Sequence, residues 1–197
     1  MGTNKYHNTA NISPNAIIGK GNTFMEGVIV RDNVTIGDNN IFYPNSYVGL
    51  MGEVKGETEP TGRVVIGSGN TIRERVSIHS PVRTELTFIA DNCYIMNGCH
   101  IAHDCFLAEG VVLAPYVTLG GMVNLGFKAN VGMKATINPR LSIGDICMIG
   151  SGSVVTKDVS NYQKWAGVPA RQMGYNKIGM QRAGLSPQQI DIICVDS

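Results

Sequence analysis

A large apolar residue returns at every sixth position of this chain from its first tenth almost to residue 160. The leaders run Ile12, Ile18, Phe24, Val30, Ile36, Phe42 and Val48, then, after a gap and still in phase, Ile66, Ile72 and Ile78. From Ile89 they continue unbroken through Ile95, Ile101, Leu107, Leu113, Leu119, Leu125, Val131, Ile137, Ile143, Ile149 and Val155. The residue after a leader is often Gly, as at Gly19, Gly37, Gly120 and Gly132. The fourth after it is small or β-branched, as at Val34, Val111, Ala129 and Ser153. This period predicts an all-β fold, a left-handed parallel β-helix of hexapeptide repeats. Three hexads make one triangular coil, so each leader stacks on the leaders one coil away while the fifth residue points into the tight corner. With strands about 4.8 Å apart, some seven coils build a prism roughly 35 Å tall. Each coil buries apolar surface only against its neighbours, so stability accumulates coil by coil.

Two interruptions and a tail stand outside the pattern. Residues 50–63 break the hexads but keep their phase, which predicts a loop extruded from the prism. The spacing from Ile78 to Ile89 is eleven rather than six, which predicts an insertion over residues 81–88. The repeat stops after Val159. The expected organisation is therefore a β-helix over residues 1–160 and a short helical appendage over 161–197. In that tail Gly174 to Ala183 reads as a short helix ended by Gly184, and Ser186-Pro187 as the start of a second.

Composition narrows the function. The formal net charge is +1 and no basic run occurs, which argues against a nucleic-acid surface. No apolar stretch approaches the length of a membrane span. Met1 to Ala10 is polar, without the apolar core of a signal peptide, and Tyr6 stands where a myristoylation signal needs Ser or Thr. The five cysteines include no C-x-x-C pair. Cys93, Cys99, Cys105 and Cys147 all occupy the small inward position of their hexads, where a Cys is a compact hydrophobe. That usage predicts a reducing, cytoplasmic setting and no metal centre. Lys157, Lys164, Arg171, Lys177 and Arg182 are offset only by Asp158 between residues 157 and 182, a local excess suited to phosphates or an acidic protein, or simply a solvated face.

The histidines carry the chemistry. His79, His100 and His103 take outward hexad positions. Once the five-residue insertion is allowed for, Ile101 stacks on Ile78, so His79 lies beside Ala102. Three of the four histidines thus gather on two adjacent coils, with Asp104 next to His103. An imidazole is suited to general acid–base work near neutral pH.

The run His100-Ile101-Ala102-His103-Asp104-Cys105 resembles the active-site segment of the UDP-N-acetylglucosamine O-acyltransferase family, which begins lipid A synthesis. So do Ile72-Arg73-Glu74-Arg75-Val76-Ser77-Ile78-His79, the loop residues Glu59-Pro60-Thr61, and Gly179 through Ser186 in the tail. The resemblance spans most of residues 12–190. It implies that His103 is the general base that deprotonates a sugar hydroxyl attacking an acyl thioester, and that Asp104 orients it. It implies that His79 and His100 line the substrate site, that the Gly121 N–H stabilises the oxyanion, and that Glu53 and Lys55 hold the sugar. Arg182 would face the nucleotide diphosphate. The family is a homotrimer with sites in the clefts between prisms. No cofactor is implied beyond the co-substrate, acyl carrier protein or CoA carrying the acyl group.

The chain departs from the family's pattern at Met122, Asn138-Pro139 and Ala183. Trp165-Ala166-Gly167-Val168-Pro169-Ala170-Arg171 resembles instead a segment of acetyl-CoA-dependent hexapeptide transferases. Three readings follow: acyl transfer from a carrier protein to a UDP-amino sugar, CoA-dependent O- or N-acylation of a surface-polysaccharide sugar, and a zinc hydratase like the γ-class carbonic anhydrases. The last lacks its usual His-x-x-x-x-His spacing here.

Overall fold

A computed structural model describes residues 2–195; Met1, Asp196 and Ser197, at the ends of the expected spans, lie outside the described residues. The hexads wind into a triangular prism with three parallel faces. Face one has ten strands and starts at Lys5–Tyr6; face two has eight, from Asn11–Ile12 to Val154–Val155; face three has seven, from Ile17–Ile18 to Ser142–Ile143. Leaders stack in register one coil apart, as Ile101 on Leu119 and Leu119 on Ile137. Nearly all are fully buried, each contributing roughly 1.5–3 kcal/mol relative to exposure.

The repeat begins one hexad earlier than the leaders suggest. Tyr6 pairs with Phe24, and its ring stacks on Phe24 at 5.2 Å. The corner position also admits a polar solution. Asn22, Asn40 and Asn70 stack there, each amide oxygen accepting the N–H of the residue one coil on, and the series ends at Cys93. The four repeat cysteines are buried free thiols, as expected. Burial pushes the Cys93, Cys99 and Cys147 thiols up to about 11 and Cys105 to about 12, so they stay protonated at neutral pH.

Both interruptions leave the prism at the same edge, between faces two and three. The first carries the chain from Tyr47–Leu50 to Arg63–Ile66, and the second from Ser77–His79 to Leu86–Ile89. Phase survives the first because Ile36 pairs with Ile66, two hexads beyond the ordinary spacing. The two segments then lock together: Thr61 N donates to Pro81 O at 3.0 Å, Arg63 N to Glu85 O at 3.0 Å, and the Arg83 guanidinium pairs with Glu57.

The tail differs from the expected helical appendage. It opens with an antiparallel hairpin, Gln163–Gly167 against Ala170–Tyr175, that extends face one. Gly174 lies in the second strand with φ 105°. The first helix, α1, therefore covers only Lys177–Arg182, and its cap is Asn176, whose side chain accepts the Gly179 N–H. Helix α2 runs over Pro187–Val195. Met180 and Ile190 pack with Ile146 in a small second core. The apolar surface of the last coils thus receives both hairpin and helices, which a six-residue pattern cannot show.

Candidate active site

The edge that extrudes both loops also carries the histidines. His100 projects from face two, and His103 and Asp104 turn the corner toward face three. Register confirms the stacking read from the sequence, with Ser77 on His100 and Ile78 on Ile101. Asp104 takes the left-handed conformation, φ 60°, and its carboxylate lies buried under the 80–87 segment.

That segment forms a cradle. Asp104 Oδ1 accepts from Thr84 N at 2.8 Å and from Thr84 Oγ1 at 2.6 Å. Oδ2 accepts from Arg83 N at 3.1 Å, from Val82 N at 3.3 Å, and from His103 Nδ1 at 2.6 Å. The Asp104 N–H in turn donates to Thr87 Oγ1 at 2.8 Å. Burial alone would raise the carboxyl's pKa. The bonds from Thr84, His103 and the backbone outweigh it and hold the group below the usual carboxylate range. Asp104 is thus ionised and accepts only, so the proton on the shared bond belongs to His103 Nδ1 and the lone pair to Nε2. An imidazole so fixed can take a proton at Nε2.

Gly121 lies one coil on from His103. A Cβ there would stand 2.4 Å from both Cε1 and Nε2 of the His103 ring, so the ring lies directly against a bare Cα. Along the neighbouring edge the equivalent backbone N–H finds an acceptor one coil on, as Phe127 N does at Asp145 Oδ1, 2.7 Å away. Above Gly121 that place is held by Pro139, which offers no side-chain acceptor. The Gly121 N–H consequently has no partner among the described residues, a free donor on the residue that the His103 ring lies against. The same peptide is gripped through its carbonyl, Gly120 O, by Cys105 Sγ at 3.3 Å.

The other imidazoles stand close by. His100 Nδ1 shares a 2.9 Å bond with Ser77 Oγ, and its Nε2 lies 3.7 Å from Glu53 of the extruded loop. His79 packs edge-on against His100 with centroids 4.8 Å apart. His79 leaves the prism as expected, but it is not open to solvent: it is 5% exposed, because the loop folds over it and its Nδ1 donates to Met51 O at 2.8 Å. Gly52 permits that closure; a Cβ there would meet Val82 and the His103 Cβ at 2.8 and 2.9 Å.

Of the residues singled out in the sequence, His79, His100, His103, Asp104, Gly121 and Glu53 converge. Lys55 is exposed on the same loop, with no partner among the described residues. Arg182 is elsewhere. It lines a cleft of about 560 Å³ on face one, with Lys128, Lys164, Asn176, Ile178 and Met148, and face one lies opposite the histidine edge of the triangular prism. The basic stretch also fails to form one patch, since Lys164 sits on face one whereas Lys157 follows Val155 on the edge between faces two and three. The cradle residues Val82, Arg83, Thr84 and Thr87 were not legible. Their only signal was the eleven-residue spacing, which shows an insertion but not what it grips.

Burial lowers the pKa of His79, and the neighbouring His100 lowers it further; burial also lowers that of His100, against the pull of Glu53. Both are neutral in the folded protein at pH 7. A base depressed by folding binds fewer protons than it does unfolded, so stability falls as pH drops below its unfolded value of about 6.5. The melting temperature is therefore expected to decline from pH 7 to pH 5, and His79→Gln to flatten that slope. Parallel pH–melting curves for the two proteins would disprove the burial of a neutral imidazole.

The chain matches the bacterial transferase hexapeptide (six repeats) family over residues 15–50 and 87–121. It is 35% identical over 211 residues to the acyl-[acyl-carrier-protein]–UDP-N-acetylglucosamine O-acyltransferase of Thermodesulfovibrio yellowstonii, covering 96% of this chain and 81% of that protein. The Bartonella quintana enzyme of the same name is 41% identical over 181 residues, covering 91% of this chain and 66% of its own length. Among solved structures, the UDP-N-acetylglucosamine acyltransferase of Campylobacter jejuni superposes with a TM-score of 0.91 at 30% identity, covering 98% of this chain and 77% of that one.

Proposed function

Because this chain belongs to the family of acyl-carrier-protein–UDP-N-acetylglucosamine O-acyltransferases, we propose that it moves an acyl group from an acyl carrier protein thioester to a hydroxyl of a UDP-amino sugar resembling UDP-N-acetylglucosamine. That it is an acyltransferase of hexapeptide-repeat fold follows from the family; the donor, acceptor and residue roles are the proposal. One observation carries them: a carboxylate-held imidazole lying against a glycine whose backbone N–H is unpaired.

In this reading His103 Nε2 removes the proton of the sugar hydroxyl as the oxygen attacks the thioester carbonyl carbon. Proton transfer to a positioned base of this kind is typically worth about 10²–10⁴ in rate, and Asp104 keeps the tautomer and stabilises the imidazolium. The carbonyl oxygen becomes an oxyanion and receives the Gly121 N–H, a donor of a kind worth roughly 3–4 kcal/mol. Collapse reforms the carbonyl and breaks the C–S bond, and the imidazolium returns its proton to the leaving thiolate. The products are an ester and a thiol, and the chemistry calls on no metal or covalent enzyme intermediate. His79, neutral and fixed by Met51, and His100, between Ser77 and Glu53, line the approach; Glu53 and Lys55 hold the sugar.

The unit in this reading is a homotrimer. Arg182 and His103 stand on opposite sides of one prism, so the arginine can serve a site only on a neighbouring subunit, with its cleft taking the nucleotide diphosphate. Arg182→Ala is expected to raise the KM for the nucleotide sugar about tenfold, ~1.4 kcal/mol. The effect should shrink as salt rises, since exposed charges are screened beyond about 8–10 Å. Mixed trimers of Arg182→Ala and His103→Ala subunits should regain low-KM turnover, which neither homotrimer shows alone. An unchanged KM at low salt, or no complementation in proven mixed trimers, would refute the arrangement.

The second reading, a CoA donor, rests on the hairpin that carries Trp165 to Arg171. Thioester assays crossing carrier-protein and CoA donors with nucleotide-sugar acceptors test the function directly. Turnover with CoA donors alone would replace the first reading. No described helix is long and apolar enough to cross a membrane, and a cytoplasmic setting matches the substrates proposed.

A further inference from the structure

A carboxylate that orients a base must present one particular oxygen to it, and a rotamer preference does not accomplish this. The terminal torsion of Asp is broad and nearly two-fold, so the plane of the Asp104 carboxylate is set by its hydrogen bonds. Arg83 N does not discriminate, lying 3.1 Å from Oδ2 and 3.3 Å from Oδ1. Val82 N is at 3.3 Å from Oδ2. The short bonds on the oxygen away from His103 both come from Thr84, through its N–H at 2.8 Å and its hydroxyl at 2.6 Å.

The hydroxyl is directed. Its oxygen accepts the Leu86 N–H at 3.3 Å, and its single proton chooses between Leu86 O at 3.2 Å and the carboxylate at 2.6 Å. The charged, closer acceptor wins, because hydrogen bonds to an ionised group are about twice as strong as neutral ones. Thr84 is itself held, since Thr61 Oγ1 donates to its carbonyl and the neighbouring Arg83 is paired with Glu57.

We propose that Thr84 is a positioning residue for the acid–base pair: its hydroxyl and N–H pin Oδ1 of Asp104 so that Oδ2 stays on His103 Nδ1. This rests on the reading of His103 as the base. Without the hydroxyl, the carboxylate is free to pivot about its Cβ–Cγ bond, the 2.6 Å bond to His103 loosens, and Nε2 is presented in a wider spread of directions. Among ligands of Asp104, the Thr84 hydroxyl is also the largest of the contributions that keep the carboxyl ionised against the opposing effect of burial.

The experiment compares Thr84→Val, Thr84→Ser and Asp104→Asn in the assembled full-length enzyme, with kcat, KM, melting temperature and the low-field proton resonance of the His103 Nδ1–H. Thr84→Val is expected to lower kcat about tenfold, ~1.4 kcal/mol of barrier, with KM within twofold. Its imidazole resonance should move upfield and broaden. Thr84→Ser, which keeps the hydroxyl, should stay within twofold of the parent and retain the resonance. Asp104→Asn should lose the resonance and most turnover. A Thr84→Val protein that melts lower but keeps kcat and the resonance has lost only structure, and the proposal falls. If Asp104→Asn also turns over normally, it is the base assignment that has failed; if Asp104→Asn is inactive while Thr84→Val is normal, Thr84 alone is wrong. Thr84→Ala gives the same readout should the valine variant not fold.

Discussion

Replacing His103 with Ala is expected to lower turnover by about 10²–10⁴, the usual worth of a positioned general base, while the protein still folds. The fold survives because the side chain lies outside the prism. The stack that holds the coils, Ile78 on Ile101 on Leu119, does not include it, so the expected cost is that of one hydrogen bond to the buried Asp104 carboxylate, roughly 1.5–3 kcal/mol. Catalysis does not survive, because no other imidazole can substitute. His79 Nδ1 is committed to Met51 O, and His100 Nδ1 to Ser77 Oγ, 2.9 Å away. Among the described histidines only His103 combines a short carboxylate bond at one nitrogen with a place against Gly121, whose N–H is unpaired. KM should change little. The measurement is steady-state kinetics on protein whose assembly and melting are verified. Near-normal turnover in a correctly assembled variant would remove His103 from the role and direct attention to His100.

Gly121→Ala is the second large expected effect, and it comes from space rather than charge. The backbone at Gly121 is not in the left-handed region, so alanine meets no conformational obstacle there. Its methyl does meet the His103 ring, at 2.4 Å from Cε1 and Nε2, well inside van der Waals contact. The ring cannot simply swing aside, because its other edge is held by Asp104 at 2.6 Å. Either the imidazole is displaced from the carboxylate or the 120–121 peptide moves, and in both cases base and oxyanion donor lose their mutual geometry. Turnover should fall by about 10²–10³, the range for losing one oxyanion donor, with the melting temperature lowered by several degrees, since overpacking typically costs about 1–3 kcal/mol. An active Gly121→Ala enzyme would show that neither the ring position nor this N–H matters to the reaction.

The six-residue period settled the β-helix because it is a repeating local rule. Every leader must be apolar to stack on the one a coil away, so Ile101 announces Leu119 and Ile137 without any knowledge of the rest of the chain. The same rule placed His79 beside Ala102 and put both interruptions outside the prism, since the stack of leaders resumes after each. Tyr6 escaped because an aromatic that is half exposed does not read as a core leader. The hairpin over residues 163–175 escaped because it follows no hexad rule and is shaped by the surface it covers.

The site divides in the same way. His100, His103 and Asp104 were legible because they are neighbours on one coil; Gly121 was reached only through the resemblance to the family. What only the tertiary structure decided is how two irregular segments close over them. The 50–63 loop buries His79 and brings Glu53 to His100, and the 80–87 segment wraps three backbone N–H groups and the Thr84 hydroxyl around Asp104. Neither has a period, and backbone donors leave no mark in an amino-acid sequence. Arg182 shows the further limit: its residue type is visible in the chain, but its place on the side of the prism opposite His103 follows only from how the tail folds back onto face one.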